Sequence, residues 1–369
     1  MKSIRIPLLI SLLAPVAAAQ DGAPTPPNAN DPAYAPLKAF VGTWTCDVNY
    51  LGTSSKATET FEPLCNGLFM KSIVHGSFNG QPFHGLSIWG YDPQAKNYVN
   101  VWVDSTGTTP AWSTATYDAT TKTMTSSSEM GGMKMRGVLK WTSPDAFEEK
   151  TYNLQGDKQV EHMTIKRTRA KAGAATAVSD AASVAGETKV QAEKAATAVA
   201  EPVTTNPASN DLLKTVGKWD VVMKVMGPDG TAMEFKGKES NSAACNGLWV
   251  WSDFHSDDFM GTPFTGAGLL GYDPSTKKYT SVWVDSMSPH ITKLSGSMDA
   301  KTKVLTCKGM SKDPAGNEMP MQESTTWTND DARICRFEFG SGEQTMKMEL
   351  HYTRAHEVPD HGIPATKIK

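Results

Sequence analysis

Several protein classes are excluded by what the 369-residue chain lacks. No Cys-x-x-Cys pair occurs, so a zinc ribbon or a thioredoxin-like redox site is not indicated. Charge of one sign is also missing. Thirty-six Lys and Arg nearly balance 39 Asp and Glu, and a net charge of -3 provides no basic field for nucleic acid. After the first twenty positions no run approaches the ~18 apolar residues of a spanning helix. Gly-x-Ser-x-Gly, His-Glu-x-x-His, the phosphate-binding Gly-x-x-x-x-Gly-Lys-(Ser/Thr) and Gly-x-Gly-x-x-Gly are all absent. The absence of local catalytic motifs lowers the expectation of an enzyme without removing it, because a folded sheet can bring distant carboxylates together. The 30 Gly and 22 Pro fall short of a collagenous or low-complexity composition.

The N-terminus reads as an export signal. Lys2 and Arg5 precede an apolar run from Ile6 to Val16, and Ala17-Ala18-Ala19 forms a small-residue cleavage pattern. The expectation is a leader over 1–19, cut after Ala19, and an exported protein, periplasmic or secreted, with no membrane insertion after cleavage. Export permits disulfides. The five cysteines (Cys46, Cys65, Cys245, Cys307 and Cys335) are odd in number, so at least one has no intrachain partner. A Cys307–Cys335 bridge and buried free thiols both fit.

The strongest signal is an internal duplication. Gly42-Thr43-Trp44 returns as Gly217-Lys218-Trp219, Cys65-Asn66-Gly67-Leu68 as Cys245-Asn246-Gly247-Leu248, and Gly90-Tyr91-Asp92-Pro93 as Gly271-Tyr272-Asp273-Pro274. Val101-Trp102-Val103-Asp104-Ser105 recurs unchanged at 282–286, and both copies close on Thr-Arg-Ala. From Gly80 to Lys122 the copies align without a gap, with 19 of 43 positions identical, which chance does not produce. The period is far longer than that of a solenoid repeat. The sequence therefore divides into a flexible lead over 20–34, a first domain over 35–169, a linker over 170–208, a second domain over 209–355 and a tail over 356–369. From Ala170 to Ala200 the linker holds 13 Ala among 31 residues and no aromatic, which reads as a solvated, partly helical spacer.

Within each copy the pattern is strand and turn. Tyr98, Asn100, Trp102 and Asp104 alternate with Val99, Val101 and Val103, and Tyr279, Ser281, Trp283 and Asp285 repeat the alternation. Asp-led turns from Asp92, Asp118, Asp273 and Asp299, the first and third of them Asp-Pro, separate the apolar runs. The fold class expected is all-β: two tandem antiparallel barrels of about eight to ten strands each, closed so that no edge is left exposed.

Leu37-Lys38-Ala39-Phe40-Val41-Gly42-Thr43-Trp44 and its counterpart from Leu213 resemble the start of lipocalin-like (calycin) barrels, where a helical turn leads to Gly-x-Trp on the first strand. Together with Cys-Asn-Gly-Leu, Gly-x-Pro-Phe-x-Gly, Gly-Tyr-Asp-Pro and Trp-Val-Asp-Ser, both copies resemble the bacterial domain of unknown function 1579. That resemblance implies a lipocalin-like barrel. It carries no established chemistry and no catalytic residues.

Two sets of candidate site residues follow. The Tyr98, Asn100, Trp102, Asp104 face and the matching Tyr279, Ser281, Trp283, Asp285 face offer aromatic walls, a hydrogen-bonding group and a carboxylate, the mixture of a small-molecule pocket if they point inward. If the Val face points inward instead, the aromatics form surface or rim. A buried Asp104 or Asp285 requires a partner, for which Arg169 and Arg354 are candidates. His75 and His255 hold equivalent strand positions, and on a lumen face they could ligate haem iron, as in nitrobindin-type barrels. Methionine clusters, such as Met319 with Met321 and Met346 with Met348, suit irregular core space better than Cu(I). The reading that results is an exported binding protein for a small apolar or amphipathic molecule. Its alternatives are a haem or metal-binding barrel and an interaction module with side-chain-filled barrels. The sequence defines neither a cofactor nor an oligomeric state, and nucleic acid is not an expected partner.

Overall fold

The computed structural model describes residues 27–78, 80–130, 132–171, 207–226, 231–313, 316–342 and 345–355. The expected leader, residues 20–26 of the lead, nearly all of the linker and the tail lie outside these residues.

Each copy forms a closed barrel of ten antiparallel strands, running from Gly42–Tyr50 to Lys158–Arg169 in the first and from Gly217–Met226 to Met346–Arg354 in the second. Every strand pairs with its sequence neighbours, and the first strand closes on the tenth, with Trp44 opposite Arg169 and Trp219 opposite Arg354. Closure leaves no unpaired edge. The tight turns use the Asp-led segments seen in the sequence. Asp92 Oδ1 accepts from the Gln94 and Ala95 amides, and Asp118 and Asp299 cap the following turns in the same way.

The Gly-x-Trp and Thr-Arg-Ala motifs form one device in each barrel. Trp44 and Trp219 are fully buried and donate their indole N–H to the carbonyls of Phe40 and Thr215. Arg169 and Arg354 lie over these rings at 4.2 and 4.3 Å and donate to backbone carbonyls of the preceding turn, Val41 and Val216 among them. Gly42 and Gly217 adopt φ of +121° and +128°, and a Cβ there would approach the guanidinium to 2.8 and 2.6 Å. The arginines are thus spent on the barrel floor, with Asp145 and Asp331 as their ion-pair partners. They do not serve Asp104 and Asp285, contrary to the sequence expectation.

The two barrels pack against each other with approximate reciprocity. The Cys-Asn-Gly corners are left-handed over three consecutive residues (φ +51°, +59° and +86° at Cys65, Asn66 and Gly67; +51°, +58° and +79° at Cys245, Asn246 and Gly247). Asn and Gly tolerate that region, whereas the same conformation costs a residue such as Cys about 1–2 kcal/mol. Each corner is set against the other barrel, with Cys245 Sγ 3.7 Å from the Val103 carbonyl and the Cys65–Gly67 turn against the strand Thr262–Asp273. Leu86, Ile88, Val101 and Val103 share one buried cluster with Ala267, Leu269, Val282 and Val284. The Val faces therefore point out of the barrels but not to solvent. They make the interface, together with the Lys312–Asp92 ion pair at 2.9 Å and Lys71 over the Trp251 ring at 5.0 Å. All five cysteines are buried free thiols, so no Cys307–Cys335 bridge forms. Burial pushes the Cys46 and Cys245 thiols up to about 12.

Candidate functional site

With the Val faces outward, the Tyr, Asn or Ser, Trp and Asp faces point into the lumens. Trp102 and Trp283 lie flat against the next strand, where Gly85 and Gly266 leave room. A Cβ at either glycine would come within 2.3 or 2.2 Å of the indole, which accounts for the last glycine of Gly-x-Pro-Phe-x-Gly. Each indole N–H donates to the aspartate two residues on (Trp102 to Asp104 at 2.8 Å, Trp283 to Asp285 at 3.1 Å), and the other carboxylate oxygen caps a turn through the Thr106 or Met287 amide. Burial pushes the Asp285 carboxyl up, and bonds from the Met287 amide and the Trp283 indole oppose it. Tyr98 donates to the Ala33 carbonyl at 2.7 Å and closes the floor of the first barrel. Asn100 donates to the Ile88 carbonyl, and Ser281 donates to Glu323 at 3.1 Å.

His75 and His255 sit on the outer walls. His75 meets His84 across the strand pair, Nδ1 to Nδ1 at 2.9 Å, and His255 contacts the exposed Asp257 at 2.7 Å. In the two strands involved, Ser72 and Phe254 hold the inward parity and the histidines the outward one, so neither histidine can ligate a group held in a lumen. Among the described residues no three His, Cys, Asp or Glu side chains cluster as a metal site. Met319, Met321, Met346 and Met348 line the second lumen, the wall-filling role that their spacing suggested.

That lumen holds a cavity of about 570 Å³. Phe254, Phe259, Phe264, Trp283 and the methionines supply an apolar wall, and Ser281 and Asp285 are among its polar groups. Its floor differs from that of the first barrel at three of four ring positions. In the first barrel Phe40, Phe61, Trp141 and Phe147 close on one another, with Phe40 5.2 Å from Phe61 and Trp141 4.7 Å from Phe147. The corresponding residues of the second are Thr215, Asn241, Trp327 and Arg333, all of which line the cavity.

The buried charges are rearranged as well. Arg167 bridges Glu59 at 2.6 Å and Glu149 at 2.9 Å in the first barrel. In the second, Tyr352 takes the place of Arg167 and the cation moves to Arg333, which lies 4.1 Å over the Tyr352 ring and bonds Glu239 at 2.6 Å. The Glu149 position becomes Cys335, and a carboxylate reappears at Glu323, opposite Cys307, where the first barrel has Gly137 opposite Ser126. Among the described residues no ion pair reaches Glu323. It accepts from Ser281 and from the Cys335 thiol at 3.5 Å. Burial, aided by Glu239, pushes its carboxyl above the usual range, and those two bonds and the nearby Arg333 counter only part of the effect.

Sequence reasoning passed over Thr215, Asn241, Glu323, Trp327 and Arg333. The signal available was the loss of Phe40, Phe61 and Phe147 between otherwise similar copies.

These features define a tandem pair of closed ten-stranded antiparallel barrels with a cavity in the second. A family profile described as a protein of unknown function (DUF1579) matches residues 31–169 and 205–354, and the chain belongs to that family. Among solved structures, a redesigned β-barrel is similar at 16% identity over 36% of this chain and 94% of that one, with a TM-score of 0.22. An S-type phycobiliprotein lyase from Guillardia theta is similar at 11% identity over 37% and 90%, with a TM-score of 0.29. A DUF3598-family protein of unknown function from Nostoc punctiforme is similar at 8% identity over 88% and 99%, with a TM-score of 0.21. No curated protein matches the chain at significant similarity.

Proposed function

We propose that the protein is an exported binding protein whose second barrel holds a small, largely apolar or amphipathic molecule in its lumen. The observation that carries this reading is the 570 Å³ cavity, walled by aromatic and methionine side chains with a few polar groups at fixed points. Such a volume and lining suit a drug-sized ligand, with affinity from burial of apolar surface and orientation from the polar groups. Flexible thioethers let the wall adapt to an irregular shape. The first barrel, with Phe40, Phe61, Trp141 and Phe147 packed together, serves as a docked support whose Asn66 reaches the cavity lining. Export rests on the leader-like residues 1–19.

Native mass spectrometry of the protein isolated from its own exported fraction, set against its denatured mass, tests both parts. The expected result is a chain beginning at Gln20 with a discrete excess mass that denaturation releases. A chain retaining residues 1–19 removes the export part. Failure of the folded protein to retain any apolar molecule, native or added, removes the binding part.

A further inference from the structure

The floor of the second lumen carries three buried polar atoms without partners among the described residues: Arg333 Nη1, Trp327 Nε1 and Asn241 Oδ1. All three residues line the cavity, and Arg333 is 5% exposed. They are neighbours. Trp327 stands directly opposite Arg333 in the strand pair, and Arg333 Nη2 and Asn241 Nδ2 donate to the same Glu239 oxygen at 2.6 and 2.8 Å. The Asn241 amide is oriented by its two acceptors, Glu239 and the Thr215 carbonyl, which leaves its oxygen facing away from both. The set is thus two donors and one acceptor. Buried polar atoms are nearly always paired, and leaving one unpaired is costly. The polar floor exists in this barrel and not in the first, where phenylalanines hold the Asn241 and Arg333 positions.

The charge balance narrows the partner further. Glu239 already takes up the Arg333 charge in an ion pair, and Glu323 stands nearby, within the field of the same guanidinium but with no ion pair of its own among the described residues. A ligand carboxylate would add a second uncompensated negative charge to the lumen. An ammonium group would face the two donors, Arg333 and Trp327. A neutral carboxamide matches all three atoms, its carbonyl oxygen accepting from Arg333 and Trp327 and its N–H donating to Asn241. Resting on the reading of the second lumen as a binding site, we propose that its ligand class is apolar molecules ending in a neutral carboxamide, bound amide-first against this floor.

The test is competition of decanamide, decanoate, decylamine and decane against Nile red in the full mature chain. Decanamide is expected to compete at least tenfold more tightly than decanoate or decylamine. Trp327→Phe keeps the ring and removes one donor without touching an ion pair. It is expected to weaken decanamide about three- to tenfold, the range of one net hydrogen bond, and to leave decane unchanged. The paired change Arg333→Met with Glu239→Gln, which preserves neutrality, should abolish the preference for the amide. Tighter binding of decanoate or decylamine overturns the proposal, as does equal weakening of decane and decanamide by Trp327→Phe. Entry of decane without a preference for the amide defeats the polar-group assignment alone. Exclusion of Nile red and all four compounds defeats the binding reading itself.

Discussion

The two barrels share strand number, register, floor device and docking corner, yet they place their buried charge differently. In the first barrel one guanidinium satisfies two carboxylates, and rings from Phe40, Phe61 and Phe147 close the space beside it. In the second, the guanidinium has moved to an adjacent strand and serves one carboxylate, and among the described residues Glu323 has no ion pair and three buried polar atoms of lumen-lining residues have no partner. The difference shows how a duplicated barrel can keep its frame while one copy trades packing for a cavity. The frame depends on Trp44, Trp219, Arg169 and Arg354, and none of these changes between the copies.

The comparison makes its largest prediction at the buried arginines. Arg167→Leu strands both Glu59 and Glu149 and should destabilise the first barrel by about 3–5 kcal/mol in denaturant unfolding of the full chain. A loss of under about 1 kcal/mol would show that the closed charge triad does not distinguish this barrel.

Glu323 should behave in the opposite sense. Its carboxyl is raised in the folded state, so the second barrel gains stability that is fully present below the ordinary Glu value of 4.5 and lost as pH rises through the folded value. The second barrel should accordingly be more stable near pH 5 than near pH 8. Glu323→Gln should recover about 1–3 kcal/mol at pH 8, the typical cost of a buried group left incompletely satisfied, and should flatten that dependence. A variant less stable than the parent at pH 8 would mean that Glu323 is compensated after all.

A smaller effect concerns the contact joining the barrels. Burial pushes Asp92 up, but the Ala95 amide and Lys312 more than offset this and hold it below the usual 3.8. Its contribution is therefore present above 3.8 and lost as pH falls through the folded value. Asp92→Asn should cost about 0.5–1 kcal/mol at neutral pH and nothing once the wild-type carboxyl is protonated, as followed by thermal unfolding against pH. The smallest effect is expected at the outer histidines. His75→Ala and His255→Ala should each change stability by less than about 0.5 kcal/mol and leave probe binding unaltered. Loss of binding in either variant would return the outer wall to consideration as a site.

Much of the frame is legible from local patterns. Period-two alternation, Asp-Pro turns and matched motifs announce strands, a meander and two copies, because these signals act over a few residues. The alternation at Tyr98–Asp104 does not reveal which face is inside. Both faces are apolar enough to be buried, and Val101 and Val103 are covered by the other barrel rather than by their own. The same ambiguity lets His75 and His255 be read as lumen residues, since parity along a strand is visible but its absolute direction is not. Arg169 and Arg354 are only candidates for Asp104 and Asp285 in the sequence, because their actual partners, Asp145 and Asp331, come from turns that only barrel closure brings near.

By itself the sequence determines the duplication, the strand class, the small-residue positions that admit Trp102 and Trp283, and the absence of local catalytic motifs. These follow from side-chain period, turn chemistry and composition. Tertiary structure alone decides that the cavity belongs to the second barrel and that Glu239, Asn241, Trp327 and Arg333 meet on its floor. Those residues come from strands as much as 94 positions apart, as Arg333 and Glu239 are. Pairing across a closed sheet, rather than any local preference, sets which of them share a face and which are left with an unpaired polar atom.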